Sequence, residues 1–171
     1  MTTQDELIDE HTFREAMSLV AAPIAVVTTT DGTGRRWGFT ASAVTSVSMS
    51  PPLVLVGIGH TSSCHEALTS ATEFVINVLG ESDGEVARRF ATKDVDRFAG
   101  TGLVTWPGTA LPVLPSAVVA LRCEVADVIV AGDHDLLIGR LCAVRFSEEA
   151  PDPLVWYRRG FHSRKEPEYS G

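Results

Sequence analysis

Hydroxyl side chains alternate with apolar ones along the segment "GFTASAVTSVSMSPPLVLVGI", which runs from Gly38 to Ile58. One face of this predicted strand carries five hydroxyl groups, those of Thr40, Ser42, Ser46, Ser48 and Ser50. Between Trp37 and His65 there is no Asp, Glu, Lys or Arg, although a solvent-facing strand normally includes such residues. Because a hydroxyl both donates and accepts hydrogen bonds, this face can bind a flat heteroaromatic ring. Pairing of the hydroxyls across strands of a barrel wall explains the pattern equally well.

A phosphate-binding pattern follows the hydroxyl segment. Thr61, Ser62 and Ser63 stand at the start of "TSSCHEALTSA", which is predicted to be a helix capped by one of them. The free N–H groups and the dipole at such a helix start favour an anion. A ring site followed by a phosphate site describes a flavin nucleotide.

Histidine and cysteine side chains raise the question of a metal site. His60, Cys64 and His65 could supply metal ligands, but the cluster lacks a paired second half, and no metal site is predicted. The three cysteines, Cys64, Cys123 and Cys142, form no Cys-x-x-Cys pair, which argues against a disulfide framework or a zinc ribbon. We therefore expect all three to be buried as small hydrophobic residues.

Composition limits the classes of function. The 171 residues suit one domain, and 44% hydrophobic with 21% charged residues is typical of a globular protein without a membrane span. A formal net charge of −8 argues against nucleic-acid binding. The amino-terminal stretch "MTTQDELIDEH" lacks the basic and apolar regions of a secretory signal, which predicts a cytoplasmic protein. The sequence has no Gly-x-Ser-x-Gly elbow and no HExxH pair, so neither motif of hydrolytic enzymes applies.

Short helices and longer strands are predicted to position these groups. "TFREAMSLVAA" has capping-box spacing between Thr12 and Glu15, and "SDGEVARRFATKDVDRFAG" turns Val86, Phe90 and Phe98 inward. "IAVVTTT" and "RRWGFTAS" flank the turn "DGTG", while "VVALRCEVADVIV" and "LLIGRLCAVRFS" flank "AGDHD". Six or seven strands in hairpin order, with three peripheral helices, favour a mainly β fold, an antiparallel barrel, over a doubly wound parallel sheet.

The ordered motifs "GFTASAVTSVSMSPPLVLVGI", "TSSCHEAL", "FVINVL" and "GDHDLLIGR" resemble the short-chain flavin reductase family, the reductase components of two-component flavin-dependent monooxygenases. The resemblance implies an FMN-binding split barrel, a homodimer, and NADH- or NADPH-driven reduction of FMN or FAD for a partner monooxygenase. It spans residues 12–162 and leaves a flexible amino-terminal segment, 1–11, and a polar carboxy-terminal tail, 163–171.

The resemblance also implies flavin contacts. The resemblance implies that Thr40, Ala41 and Ser42 lie along the flavin ring. It also implies that Ser46, Val47 and Ser48 contact the ring edge and the ribityl chain. Ser62 and Ser63 would bind the flavin phosphate. Phe90 matches a pocket-lining position, although it equally suits the core of an amphipathic helix. Tyr157 lies in a terminal strand that approaches the flavin in this family, and it is also an ordinary strand aromatic.

The nicotinamide site is implied by one turn. Gly132, Asp133 and His134 match the family's Gly-Asp-His turn, which makes His134 the candidate catalytic residue that positions the dinucleotide. Without the resemblance, "AGDHD" predicts only a hairpin connection. Hydride transfer is chemistry that the two cofactors already possess, so the protein has to hold the rings in contact.

Two other functions fit the same fold. An FMN oxidase of the pyridoxamine-phosphate type has a related barrel but would need several Arg and Lys residues for phosphates, which the neutral stretch from Trp37 to His65 lacks. A non-catalytic flavin-binding module would not need the Gly-Asp-His turn. The sequence therefore favours the reductase, with the choices between FMN and FAD and between NADH and NADPH left open.

Overall fold

The computed structural model describes residues 8–149 and 151–163. Most of the predicted amino-terminal segment and nearly all of the predicted tail lie outside these residues. The helices are α1 (Glu10–Ser18), α2 (His65–Thr69) and α3 (Gly84–Ala91), and a 3-10 turn at Glu81–Asp83 precedes α3. The strands are β1 (Ala22–Pro23), β2 (Ala25–Thr30), β3 (Arg36–Ala41), β4 (Val44–Met49), β5 (Pro52–Gly59), β6 (Glu73–Val78), β7 (Val104–Thr105), β8 (Pro112–Val113), β9 (Val119–Ala131), β10 (His134–Phe146), β11 (Val155–Tyr157) and β12 (Gly160–His162). In the described part of the chain, no helix is long and apolar enough to cross a membrane.

The main sheet has seven antiparallel strands in the order β3-β2-β6-β9-β10-β5-β4. Its two edge strands, β3 and β4, are consecutive in the chain and are separated only by Ser42 and Ala43. The sheet must therefore curl until its edges approach. The two-residue link is itself bonded to β5, since the N–H of Gly57 donates to the carbonyl of Ala43 at 2.9 Å. This architecture confirms the predicted mainly β, antiparallel split-barrel fold.

The β2–β3 hairpin turns where the sequence predicts it. The N–H of Asp31 donates to the carbonyl of Arg35, and the N–H of Gly34 donates to the carbonyl of Asp31. The Asp31 carboxylate also accepts hydrogen bonds from the Thr33 hydroxyl at 2.6 Å and from Trp37 Nε1 at 2.7 Å. These bonds, led by the Thr33 hydroxyl, hold the pKa of Asp31 well below its ordinary value.

The barrel interior and the space beneath α3 form separate apolar clusters. Ala25, Val27 and Phe74 belong to the first cluster, whereas Val26 and Phe90 belong to the second. Successive side chains of β2 point alternately into the two clusters, so this strand is buried on both faces. Its polar residues are paired as well: the Thr28 hydroxyl donates to the carbonyl of Pro112 at 2.6 Å.

Two local predictions are wrong. The cap of α1 is Asp9, whose carboxylate accepts from the N–H of Thr12, so Thr12 lies inside the helix and no capping box with Glu15 forms. Cys142 is exposed, because its position on β10 faces outward, whereas Cys64 and Cys123 are buried as expected. Burial raises the pKa of the Cys123 thiol to about 12, which makes it a poor nucleophile.

Candidate functional site

Strand β3 packs closely on helix α3 through small and hydroxyl side chains. The Thr40 hydroxyl donates to the carbonyl of Ala87 at 2.6 Å. Two residues earlier, Gly38 lies against the Phe90 ring, where an added Cβ would be 2.7 Å from Phe90 Cε1. Ala41 points to the opposite side and is buried in the barrel interior. One face of β3 is therefore turned toward α3 and the other toward the core.

A first cavity of about 510 Å³ opens at the Gly38 end of β3. It is lined by Arg35, Arg36, Trp37, Gly38, Ser63, Cys64, Asp94, Val95, Asp96, Arg97 and Phe98. Arg97 Nη1 donates to the carbonyl of Gly38 at 2.9 Å and lies 3.0 Å from Cys64 Sγ. The lining combines Ser63 with three arginines and two aspartates, and the resulting excess of one positive charge favours a phosphate group.

A second cavity of about 710 Å³ opens at the other end of β3. It is lined by Ile24, Thr40, Ser42, Arg88, Ala91, Thr92, Trp156, Arg159, Gly160 and Phe161. The Trp156 and Phe161 rings meet edge to face with centroids 5.1 Å apart. Aromatic side chains together with hydroxyl groups suit a planar heteroaromatic ligand, and the volume lies in the usual range for small-molecule sites.

The remaining predicted flavin contacts lie outside the second cavity. Ser46, Val47 and Ser48 lie on the edge strand β4, where Val47 is exposed and Ser48 is half-buried. Ser62 accepts a hydrogen bond from the N–H of Cys64 at 3.2 Å, and Ser63 lines the first cavity.

Helix α2 differs from its prediction. It has five residues, and its cap is Cys64, without a side-chain cap bond. Capping by Thr61, Ser62 or Ser63 is therefore wrong, because these residues form the turn that precedes the helix.

Two predicted aromatic contacts have clear structural surroundings. Phe90 is 1% exposed and packs edge to face on Phe98, with ring centroids 5.1 Å apart. Its position is that of a core residue beneath β3. Tyr157 is half-buried on β11, where its ring lies near His162. Its neighbour Trp156, which the sequence analysis did not select, lines the second cavity.

The Gly-Asp-His turn connects β9 and β10. Gly132 has a φ of 66°, a conformation that glycine adopts without strain. His134 is exposed, and its Nδ1 lies 2.7 Å from Asp133 Oδ1. This hydrogen bond lowers the pKa of the Asp133 carboxyl. The carbonyl of Asp133 accepts from the N–H of His60 at 3.0 Å, so the turn is tied to the chain that leaves β5.

A histidine–aspartate cluster lies beside this turn. Asp135 Oδ1 is 3.1 Å from His60 Nε2, and Asp135 Oδ2 is 2.7 Å from His65 Nε2. The hydrogen bond with His65, followed by that with His60, lowers the pKa of the Asp135 carboxyl. The Cys64 thiol, considered with the two histidines in the sequence, instead donates to the carbonyl of Gly38.

Sequence reasoning missed several residues of these sites. Arg97 stands in "DRF", while Arg159 and Phe161 stand in "RRGF", and these short basic–aromatic motifs were the available signals. Asp135 gave no signal of its own, because its histidine partners are 70 and 75 residues away in the sequence.

Comparison with known proteins identifies the family. A family model described as the flavin reductase like domain matches residues 17–165. The chain is 51% identical to NADH:riboflavin 5′-phosphate oxidoreductase of Streptomyces pristinaespiralis over 156 residues, which cover 91% of this chain and 89% of that protein.

Solved structures give the same result. The Streptomyces globisporus C-1027 NADH:FAD oxidoreductase in complex with NAD and FAD fragments has a TM-score of 0.86 and 29% identity, over 96% of this chain and 99% of its own. The styrene monooxygenase flavin reductase of Pseudomonas putida S12 has a TM-score of 0.81 and 31% identity, over 91% of this chain and 99% of its own. This chain belongs to the flavin reductase like domain family.

Proposed function

We propose that this chain is an NADH-dependent flavin reductase that transfers a hydride from NADH to FMN or FAD. Family membership and the relatives named for NADH-dependent reduction of riboflavin 5′-phosphate or FAD support this function. The observation that carries the proposal is strand β3, which borders a cavity with three arginines at one end and an aromatic, hydroxyl-lined cavity at the other.

The residues at β3 suit the two ends of a flavin nucleotide. Ser42 and Trp156 both line the second cavity, where a ring can stack and form hydrogen bonds. Ser63 and Arg97 line the first cavity, where a phosphate would find a hydroxyl and a guanidinium. From Ser42 the chain continues into β4, so Ser46, Val47 and Ser48 are proposed to contact the ring edge and the ribityl chain.

In the proposed reaction, the two bound rings supply the hydride chemistry, and the protein supplies their alignment. His134 is proposed to hold the dinucleotide. Its ring is exposed to an incoming ligand and is hydrogen-bonded to the Asp133 carboxylate. Hydroxyl and backbone N–H groups near the flavin would stabilise the negative charge that develops during reduction. The reaction needs no protein nucleophile.

We further propose that the chain acts as a homodimer. Several large apolar side chains on β4, β9 and β10 are exposed in the single chain, including Met49 at 93%, Val130 at 74% and Phe146 at 76%. Exposed apolar side chains of this size on a sheet surface are typical of a protein–protein interface. Sedimentation at micromolar concentration should give twice the chain mass of 18.3 kDa. A monomer that retains flavin reduction would contradict the dimer.

The reduced flavin is proposed to leave for a partner monooxygenase in the cytoplasm. The structural relative from Pseudomonas putida S12 is named as the flavin reductase of styrene monooxygenase, which supports such a role. The cytoplasm contains the NADH that this reaction consumes.

Steady-state kinetics test the proposed function. NADH and NADPH are each combined with FMN, FAD and riboflavin, and the oxidation of the nicotinamide is followed by its absorbance. The proposal predicts protein-dependent turnover, with NADH as the better donor. If no combination exceeds the rate without protein, the chain is not a reductase, and bound flavin without turnover would support the non-catalytic module.

A further inference from the structure

Three potential metal ligands converge beside the Gly-Asp-His turn. His60 follows the last residue of β5, His65 is the first residue of α2, and Asp135 is the second residue of β10. One ring nitrogen from each histidine and one carboxylate oxygen all lie within 4.8 Å of one another. Both histidines direct Nε2 toward the same carboxylate, at 3.1 and 2.7 Å.

The three residues are held by backbone structure on both sides of the cluster. Asp135 pairs with Ile58 in the β5–β10 ladder, and the N–H of His60 donates to the carbonyl of Asp133. Helix α2 is anchored by Leu68, which is fully buried in the barrel core. The ligand atoms are therefore brought together by regular structure before any ion arrives, which reduces the entropy lost on binding.

Charge and burial at Asp135 favour a cation. Asp135 is only 7% exposed, yet no lysine or arginine forms an ion pair with it in the described part of the chain. A buried carboxylate is stabilised by a nearby positive charge or by a metal ion. Here its partners are two imidazoles, which are themselves common ligands of transition metals.

We propose that His60, His65 and Asp135 bind one divalent transition-metal ion of the Zn²⁺ or Co²⁺ type. Two imidazole nitrogens and one carboxylate oxygen form a ligand set that such ions accept, with water in the fourth position. Bonds of about 2.0–2.1 Å in a tetrahedron place ligand atoms about 3.3 Å apart. His60 Nε2 lies 3.1 Å from Asp135 Oδ1 and His65 Nε2 lies 2.7 Å from Oδ2, so the His65–carboxylate separation has to widen by about 0.6 Å and the carboxylate has to turn one oxygen toward the ion. Each imidazole would present the Nε2 lone pair and carry its proton on Nδ1.

Such an ion would join the end of β5, the start of α2 and the start of β10. These elements flank the Gly-Asp-His turn, because Asp135 directly follows His134 and His60 is bonded to Asp133. The expected effect is on folding stability, since an ion that binds only the folded chain raises the melting temperature. The site is independent of the flavin and would exist whether or not the chain reduces it.

The test uses the full chain without a purification tag, stripped of metal with a chelator. Titration with ZnCl₂ in a calorimeter should show one saturable site per chain and a higher Tm at saturating Zn²⁺. Titration with CoCl₂ should produce the visible ligand-field absorption of a four-coordinate ion.

Three variants assign the site. His60→Ala and Asp135→Asn should each weaken Zn²⁺ binding by at least about 10-fold, because each removes a ligand or its charge, and loss of a group that only supports a ligand already costs about 10- to 100-fold. Asp135→Asn retains the size of the side chain and its capacity for hydrogen bonds, which protects the fold. His162→Ala is the matched control, since His162 is another exposed histidine and contacts only the carbonyl of Tyr157 through its ring nitrogen.

Absence of saturable Zn²⁺ and Co²⁺ binding to the wild-type chain would overturn the proposal and leave a hydrogen-bonded cluster. Equal binding by wild type, His60→Ala and Asp135→Asn would also overturn it. If either variant fails to fold, the Co²⁺ spectrum of the wild-type chain decides, because octahedral or absent absorption contradicts the proposed ligand set.

Discussion

Replacement of Gly38 by alanine tests the packing of β3 on α3. The new Cβ would lie 2.7 Å from Phe90 Cε1, 3.1 Å from Phe90 Cδ1 and 3.2 Å from Thr28 Cγ2. Overpacking of a buried site costs about 1–3 kcal/mol. Alanine also restricts the backbone of the unfolded chain, which offsets about 0.4–1 kcal/mol of this destabilisation. We therefore expect Gly38→Ala to destabilise the protein by about 1–2 kcal/mol and to lower its Tm by about 2–8 °C.

The same change should affect the first cavity. The carbonyl of Gly38 accepts from Arg97 Nη1 at 2.9 Å and from Cys64 Sγ at 3.1 Å, so a displaced β3 also displaces the groups that line the cavity. Under the proposed function, FMN affinity should fall along with stability. Urea unfolding and FMN fluorescence quenching measure the two effects separately.

Two further variants make the test specific. Gly32→Ala is the matched control, because no atom lies within 4 Å of a Cβ at this turn position. Phe90→Leu removes the ring that the new methyl group meets. The double variant Gly38→Ala, Phe90→Leu should be at least about 1 kcal/mol more stable than the sum of the single effects predicts. Wild-type stability in Gly38→Ala, or additive effects in the double variant, would refute the packing argument.

The remaining predictions address the site and the β2–β3 turn. His134→Ala should change the free energy of unfolding by less than about 0.5 kcal/mol, because the side chain is exposed. It should lower kcat/KM for NADH by ~10 to 100-fold. Unchanged kinetics would mean that His134 is only a turn residue. Replacement of both Ser62 and Ser63 by alanine should weaken FMN binding much more than riboflavin binding, because Ser63 lines the cavity proposed for the phosphate; equal losses would indicate general damage. The pKa of Asp31 is lowered in the folded chain by hydrogen bonds, so the carboxylate stabilises the fold above its unfolded pKa of about 3.9, and the advantage of wild type over Asp31→Asn should shrink as pH falls below that value. A constant difference from pH 7 to pH 2 in urea unfolding would contradict this assignment.

Local patterns in the sequence predicted the hairpins well. The Asp31–Gly34 turn and the Gly132–Asp133 connection carry residues with specific turn preferences between β-branched runs. Turn preferences depend only on residues close together in the sequence, so the turns occur where they are expected. The β-branched run "IAVVTTT" contains β2, and the continuous apolar run "LVLVGI" lies within β5.

Contacts between distant elements could not be predicted in the same way. Phe13 and Met17 are four residues apart and share one stripe of α1, yet both are exposed in the single chain. Such spacing predicts an apolar helix face but does not specify which surface that face meets. The second cavity depends on Trp156, which comes from a small separate sheet. The cluster around Asp135 arises only when β5, α2 and β10 meet in the folded barrel.

Anaerobic mixing of the protein with NADH and FMN tests the central claim most directly. Absorbance is followed at the bands of NADH and of oxidised flavin, with the protein at catalytic concentration. The account predicts that both bands decrease together in a 1:1 ratio, much faster than without protein, and that His134→Ala slows both. A rate equal to that of the mixture without protein, with FMN bound and the chain folded, would contradict the assignment as a flavin reductase.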